Sequence, residues 1–119
     1  MASADLQTVQ IDDGTFKYVL IEVEAKGQTA NLVRGINGAA YHADSAQPTV
    51  TVLERHAIAY QILGGGRIKH SPADKTIHIY GHSIGFPWEG GEFKHAVTKA
   101  LCEKAYGAAY TVTFDTEGY

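Results

Sequence analysis

From Phe16 to Glu24 the chain reads Phe-Lys-Tyr-Val-Leu-Ile-Glu-Val-Glu, rich in β-branched and aromatic residues. Successive side chains of a strand point to opposite faces. Lys17, Val19, Ile21 and Val23 therefore share one face, and Phe16, Tyr18 and Leu20 the other. Both faces are largely apolar, which predicts a central strand covered on both sides. Asp12-Asp13-Gly14 before it and Lys26-Gly27-Gln28 after it carry turn signals. A weaker strand follows from Ala30 to Ile36, and the two are expected to form a hairpin. Asn37-Gly38 then marks a turn.

Beyond the turn, Val50, Leu53 and Ala57 recur at helical spacing, with Asp44 or Ser45 as the candidate cap and Pro48 in the expected first turn. The β-branched run Thr49 to Val52 opposes that helix, but the spacing favours it. Ile58 to Leu63 reads as a short strand, and Gly64-Gly65-Gly66 as a bulge or tight turn into the next one. After a turn at Ser71-Pro72-Ala73-Asp74, Lys75 to His82 alternates, with Ile77 and Ile79 on one face and His78, Tyr80 and His82 on the other. Gly81 to Phe86 leaves this strand through small residues, and Pro87 to Gly91 is expected to be a loop with Trp88 at its tip. Glu92 to Ala105 carries an apolar stripe at Phe93, Val97, Ala100 and Leu101, closed by Gly107. Ala109 to Phe114 is the last strand, with Tyr110, Val112 and Phe114 facing inward, and the tail from Asp115 to Tyr119 is expected on the surface. The order predicts an α+β single domain, a mixed β-sheet flanked by two α-helices.

Composition narrows the function classes. The chain has 119 residues, one domain's worth, and a hydrophobic share of 45% that supports a core. A net charge of -3 argues against coating nucleic acid or an anionic membrane. Cys102 is the single cysteine, so neither an internal disulfide nor a cysteine-based zinc site can form. The first residues lack the basic start and apolar run of a signal peptide, and no apolar run approaches the roughly 20 residues of a membrane helix. A soluble, cytoplasmic protein is expected.

The candidate chemistry gathers around Tyr41-His42-Ala43-Asp44, where a strand gives way to a helix. Histidine exchanges a proton near neutral pH, so His42 is either a proton-transfer residue or a packed loop histidine. Lys17 either snorkels to the sheet edge or places a cation at the mouth of a pocket. Arg67 is either a surface residue or a planar fork for phosphate oxygens, and Arg34 is a further candidate cation. Glycines flank Ser83, so its loop can turn amide hydrogens inward as an anion nest. Other phosphoryl chemistries fail on the residues. The triple glycine lacks the Gly-Lys-Ser/Thr ending of a P-loop. Cys102 lacks the arginine of a tyrosine phosphatase, the position six residues on being Ala108. No Asp-x-Asp pair follows a strand, and Arg55-His56-Ala57 is misplaced for the histidine acid phosphatases. His78 and His82 lie about 13 Å apart along a strand, too far to share a metal ion. What remains suits an oxyanion, with cations and amides to hold it and one histidine to move a proton or attack phosphorus.

The runs Phe16-Lys17-Tyr18-Val19-Leu20-Ile21, Val33-Arg34-Gly35, Tyr41-His42-Ala43-Asp44, Leu63-Gly64-Gly65-Gly66-Arg67-Ile68 and Ile77-His78-Ile79-Tyr80-Gly81 resemble the janus family, in order from about Asp13 to Tyr119. The resemblance implies a metal-independent phosphatase, without cofactor, that removes phosphate from phosphohistidine on proteins. It implies His42 as the catalytic residue and Lys17 and Arg67 as substrate contacts. The amides of His42, Ala43, Ser83, Ile84 and Gly85 would hold the phosphate, with Arg34 as possible support. The chain differs from the family at His82, where a tyrosine is frequent, and in a longer loop from Phe86 to Phe93. The domain core is expected over about residues 13–119, acting as a monomer on histidine-phosphorylated proteins, with no nucleic acid or membrane partner. A phosphoprotein-binding module without turnover and a broader phosphoramidase are the rival readings.

Overall fold

The computed structural model describes residues 6–115. Its elements are β1 (Val9–Ile11), β2 (Gly14–Ala25), β3 (Gln28–Gly35), α1 (His42–Arg55), β4 (Ala59–Ser71), β5 (Thr76–Tyr80), a 3-10 turn (Glu89–Gly91), α2 (His95–Tyr106) and β6 (Thr111–Phe114). The strands form one sheet in the order β1-β3-β2-β4-β5-β6, parallel at its two outer pairs and antiparallel within. This is the expected α+β domain with a mixed sheet and two helices.

β2 lies at the sheet's centre, and its two apolar faces bury two cores. Phe16, Tyr18 and Leu20 pack with Ile68, Ile77, Ile79, Trp88, Cys102 and Val112 on the α2 side. Val19, Ile21 and Val23 pack with Leu32, Ala46, Val50 and Leu53 on the α1 side. Each buried aliphatic side chain contributes about 1.5–3 kcal/mol, so the double apolar pattern holds both helices to one strand. The hairpin to β3 turns through Lys26 and Gly27, at φ 55° and 76°. Two successive positive φ values define the tight turn whose twist matches the strands.

Several boundaries differ from the sequence reading. β1 is an added strand, parallel to β3. β2 starts at Gly14, so Lys17 sits inside the strand rather than at its end. α1 begins at His42, before the expected caps. Tyr41 is extended (φ -132°, ψ 155°), and Asp44 reaches back so that its carboxylate accepts the Tyr41 amide at 3.0 Å. This is the acidic half of a capping box. Ser45 is buried instead of capping, and Pro48 lies inside the helix. Ala57 falls beyond the helix end, at φ 56°.

The triple glycine does not join two strands. β4 runs unbroken through it, and the pairing with β2 slips once, from Leu20 opposite Gly64 to Ile21 opposite Ile62, which leaves Leu63 as the bulged residue. Trp88 is not a loop tip but a core residue, 4% exposed. α2 starts at His95 and buries His95, Thr98 and Cys102, while Val97 and Leu101 are only half-buried and Ala100 is exposed. Phe114 is 41% exposed rather than inward-facing. Of the expected surface tail, residues 116–119 lie outside the described residues. Among the described residues no helix is long and apolar enough to cross a membrane.

Candidate active site

A cavity of about 580 Å3 opens where α1 begins, lined by Lys17, Tyr41, His42, Ala43, Arg67 and the run His82 to Phe86. Four elements converge there. β2 brings Lys17, β4 brings Arg67, the first turn of α1 brings His42 and Ala43, and the loop after β5 brings Ser83, Ile84 and Gly85.

α1 is bolted to the sheet by polar groups in its first turns. The Ser45 hydroxyl donates to the Lys17 carbonyl at 2.7 Å and accepts the Ile36 amide at 3.2 Å. Arg34 donates from Nε to the Thr49 hydroxyl at 2.7 Å. These bonds set where the helix N-terminus, and with it His42, meets β2 and β4. A helix N-terminus also presents unpaired amides and a positive dipole end to the cavity.

The His42 ring needs a missing side chain. A Cβ on Gly65 would sit 2.7 Å from the Tyr18 carbonyl and 2.8 Å from His42 Cδ2. Glycine there lets the ring approach β4 closely. Its neighbours serve the opposite face of the strand, where a Cβ on Gly64 would run into the Trp88 indole and one on Gly66 into the Tyr80 carbonyl and the His95 ring. The triple glycine is thus a two-sided shelf for three rings.

His42 Nε2 lies 2.9 Å from the Gly66 carbonyl. A carbonyl only accepts, so Nε2 carries the hydrogen and Nδ1 holds the lone pair in the neutral ring. Among the described residues no protein group hydrogen-bonds Nδ1. Partial burial lowers the His42 pKa below 6.5, the bond to Gly66 opposes this, and Lys17, Arg67 and His82 lower it further. At neutral pH the ring is therefore an uncharged proton acceptor.

Lys17 and Arg67 stand directly opposite each other in the β2–β4 ladder. Like charges in that position destabilise a sheet. No Asp or Glu among the described residues lines the cavity to offset them. A bound anion would do so. Ser83 is 2% exposed, and its hydroxyl accepts the Phe86 amide at 3.1 Å, which tightens the loop that faces the cations.

A second histidine supports the site from behind the sheet. His95 is fully buried and donates from Nε2 to the Gly81 carbonyl at 2.8 Å, where the Ser83 loop leaves β5. Its Nδ1 accepts the Tyr18 hydroxyl at 2.6 Å, and Thr98 lies 3.1 Å from the same hydroxyl. Sequence reading missed this network. Its one signal was the Tyr18 hydroxyl, the polar group on a strand face otherwise formed by Phe16 and Leu20.

The structure thus brings Lys17, His42, Ala43, Arg67, Ser83, Ile84 and Gly85 to one cavity. Arg34 is not among them. It is 3% exposed, donates to the Val33 and Thr8 carbonyls as well as to Thr49, and lines a separate cavity of about 450 Å3. Among the described residues no cluster of three or more His, Cys, Asp or Glu could hold a metal ion.

Fold and site together define a small α+β protein with a cavity that gathers Lys17, Arg67 and the neutral His42 ring. Residues 3–110 match the model of the Janus/Ocnus family. The chain is 38% identical to the 14 kDa phosphohistidine phosphatase of Sus scrofa, over 98% of this chain and 94% of that protein. Against the protein of the same name from Homo sapiens it is 37% identical, over the full length of both. The sex-regulated protein janus-A of Drosophila yakuba is 37% identical over 90% of this chain and 76% of its own. The chain belongs to the Janus/Ocnus family.

Proposed function

We propose that this chain is a protein phosphohistidine phosphatase that hydrolyses the P–N bond with His42 as proton acceptor. The observation that carries the reading is the neutral His42 ring, with Nδ1 as its acceptor, in a cavity with two cations and, among the described residues, no carboxylate lining it. Full-length relatives that bear the name phosphohistidine phosphatase support the same reaction class.

Lys17 and Arg67 would neutralise the phosphoryl oxygens, and the amides of His42, Ala43, Ser83, Ile84 and Gly85 would cradle them. A water attacks phosphorus and passes one proton to His42 Nδ1. The P–N electron pair leaves with the substrate's imidazole nitrogen, which takes up a proton from solvent. The phosphoramidate bond is weak once that nitrogen is protonated, so positioning and charge neutralisation are the main tasks. The donor set fits this chemistry without a metal or cofactor. The enzyme acts on histidine-phosphorylated proteins, as a monomer in the cytoplasm, apart from nucleic acid and membranes.

The test is phosphate release from a histidine-phosphorylated protein, free phosphoramidate and a phosphoserine peptide. The phosphohistidine reading predicts fast release from the first and none from the third. Release from phosphoramidate alone would indicate a broader phosphoramidase, and release from none a binding module. A trapped phosphoenzyme that vanishes in His42→Ala but persists in His78→Ala would reassign His42 from base to nucleophile.

A further inference from the structure

Tyr41, Ile84 and Phe114 are the exposed large apolar side chains among the described residues, at 72%, 87% and 41% exposure. Single exposed apolar residues are ordinary on a protein surface. Two of these stand on the rim of one cavity, Tyr41 just before α1 and Ile84 in the loop after β5, with half-buried Phe86 beside them. Apolar side chains gathered from separate elements around a pocket mark a contact surface. Inside this rim the half-buried Lys17 and Arg67 make the cavity cationic. Polarity therefore runs from charged within to apolar at the mouth.

That gradient matches one kind of occupant. A phosphoryl group held between Lys17 and Arg67 leaves its imidazole as a rigid spacer. The spacer carries the substrate's main chain out to the mouth, where it meets the rim. Resting on the reading of this cavity as a phosphohistidine site, we infer that Tyr41 and Ile84 seat the polypeptide flanking the phosphohistidine. They favour segments with an apolar residue beside the modified histidine. The enzyme then prefers phosphohistidine within a protein chain to the free amino acid, although both present the same P–N bond and the same leaving group.

The experiment compares kcat/KM for a short peptide carrying one phosphohistidine between leucines with kcat/KM for free phosphohistidine. The ratio is read in the wild type and in Tyr41→Ser, Ile84→Ser and the double variant. The expected result is a wild-type ratio well above one that falls about tenfold in the double variant, the size set by losing partial burial of two apolar side chains. The ratio separates this role from damage to the phosphate cradle, which lowers both rates together. Variants that slow both substrates equally, or a wild-type ratio near one, overturn the rim's role while leaving the phosphatase reading intact. A wild type that hydrolyses neither substrate overturns both.

Discussion

Two histidines begin the two helices, His42 in α1 and His95 in α2. Each donates from Nε2 to a glycine carbonyl, Gly66 at 2.9 Å and Gly81 at 2.8 Å. Burial lowers the pKa of both. They differ at Nδ1. The Tyr18 hydroxyl fills that position on His95, and the ring has no exposed surface. On His42 no protein group among the described residues takes it, and the ring borders a cavity of about 580 Å3. The same tautomer and the same kind of anchor thus leave one ring sealed on one face of the sheet and the other bordering a cavity on the opposite face. What separates the two histidines is the nitrogen that His42 leaves unclaimed.

Removing each ring should separate the two roles most strongly. His42→Ala should lower kcat/KM on a phosphohistidine peptide by about three orders of magnitude, with little change in the unfolding midpoint. His95→Ala should act mainly on stability, with a smaller loss of turnover through the Ser83 loop that His95 anchors at Gly81. It strands the buried Tyr18 hydroxyl and opens a hole, costing about 2–4 kcal/mol in a denaturant titration. Gly65→Ala sharpens the contrast on one strand, because its Cβ would displace the His42 ring. Turnover should drop about a hundredfold, the cost of misplacing a catalytic group by about 1 Å. Lys17→Met should raise KM about tenfold, the worth of one charge-assisted contact. The smallest effect is on stability against pH. Both rings have folded pKa values below the unfolded 6.5, so the unfolded chain binds more protons in that window. Stability should be full above pH 6.5 and fall as pH drops below it, and Tyr18→Phe, which frees His95 Nδ1, should weaken that dependence.

The sheet's centre was legible because its signal is local. Alternation alone set β2 and its two covered faces, Lys26-Gly27 the hairpin and Gly107 the end of α2. Lys17, His42, Arg67 and the Ser83 loop could be grouped by chemistry and by resemblance before any distance was known. The start of α1 was misplaced because Asp44 acts backwards on Tyr41 rather than forwards as a cap. The bulge expected at the glycines is there, beside Gly64, but no turn joins two strands, and the glycines' further reasons lie far along the chain, in Trp88, His42 and His95. Trp88 read as a loop tip because nothing nearby in sequence shows that Gly64 makes room for its ring. Arg34 looked like a member of the site, yet it lines another cavity, with Nε and Nη1 turned to Thr49 and two carbonyls and Nη2 buried without a partner among the described residues. A residue type suggests a role, but only its position in space shows whether its polar atoms are already engaged.

A 15N NMR titration of the histidine nitrogens reads the state of the two rings directly. The predicted result is the Nε2–H tautomer for both His42 and His95 at neutral pH. His42 should protonate at Nδ1 with a midpoint below 6.5, and that midpoint should rise when inorganic phosphate is added, since a bound anion offsets Lys17 and Arg67. A His42 ring that is charged at pH 7, or that carries its neutral proton on Nδ1, would contradict the proton-acceptor role.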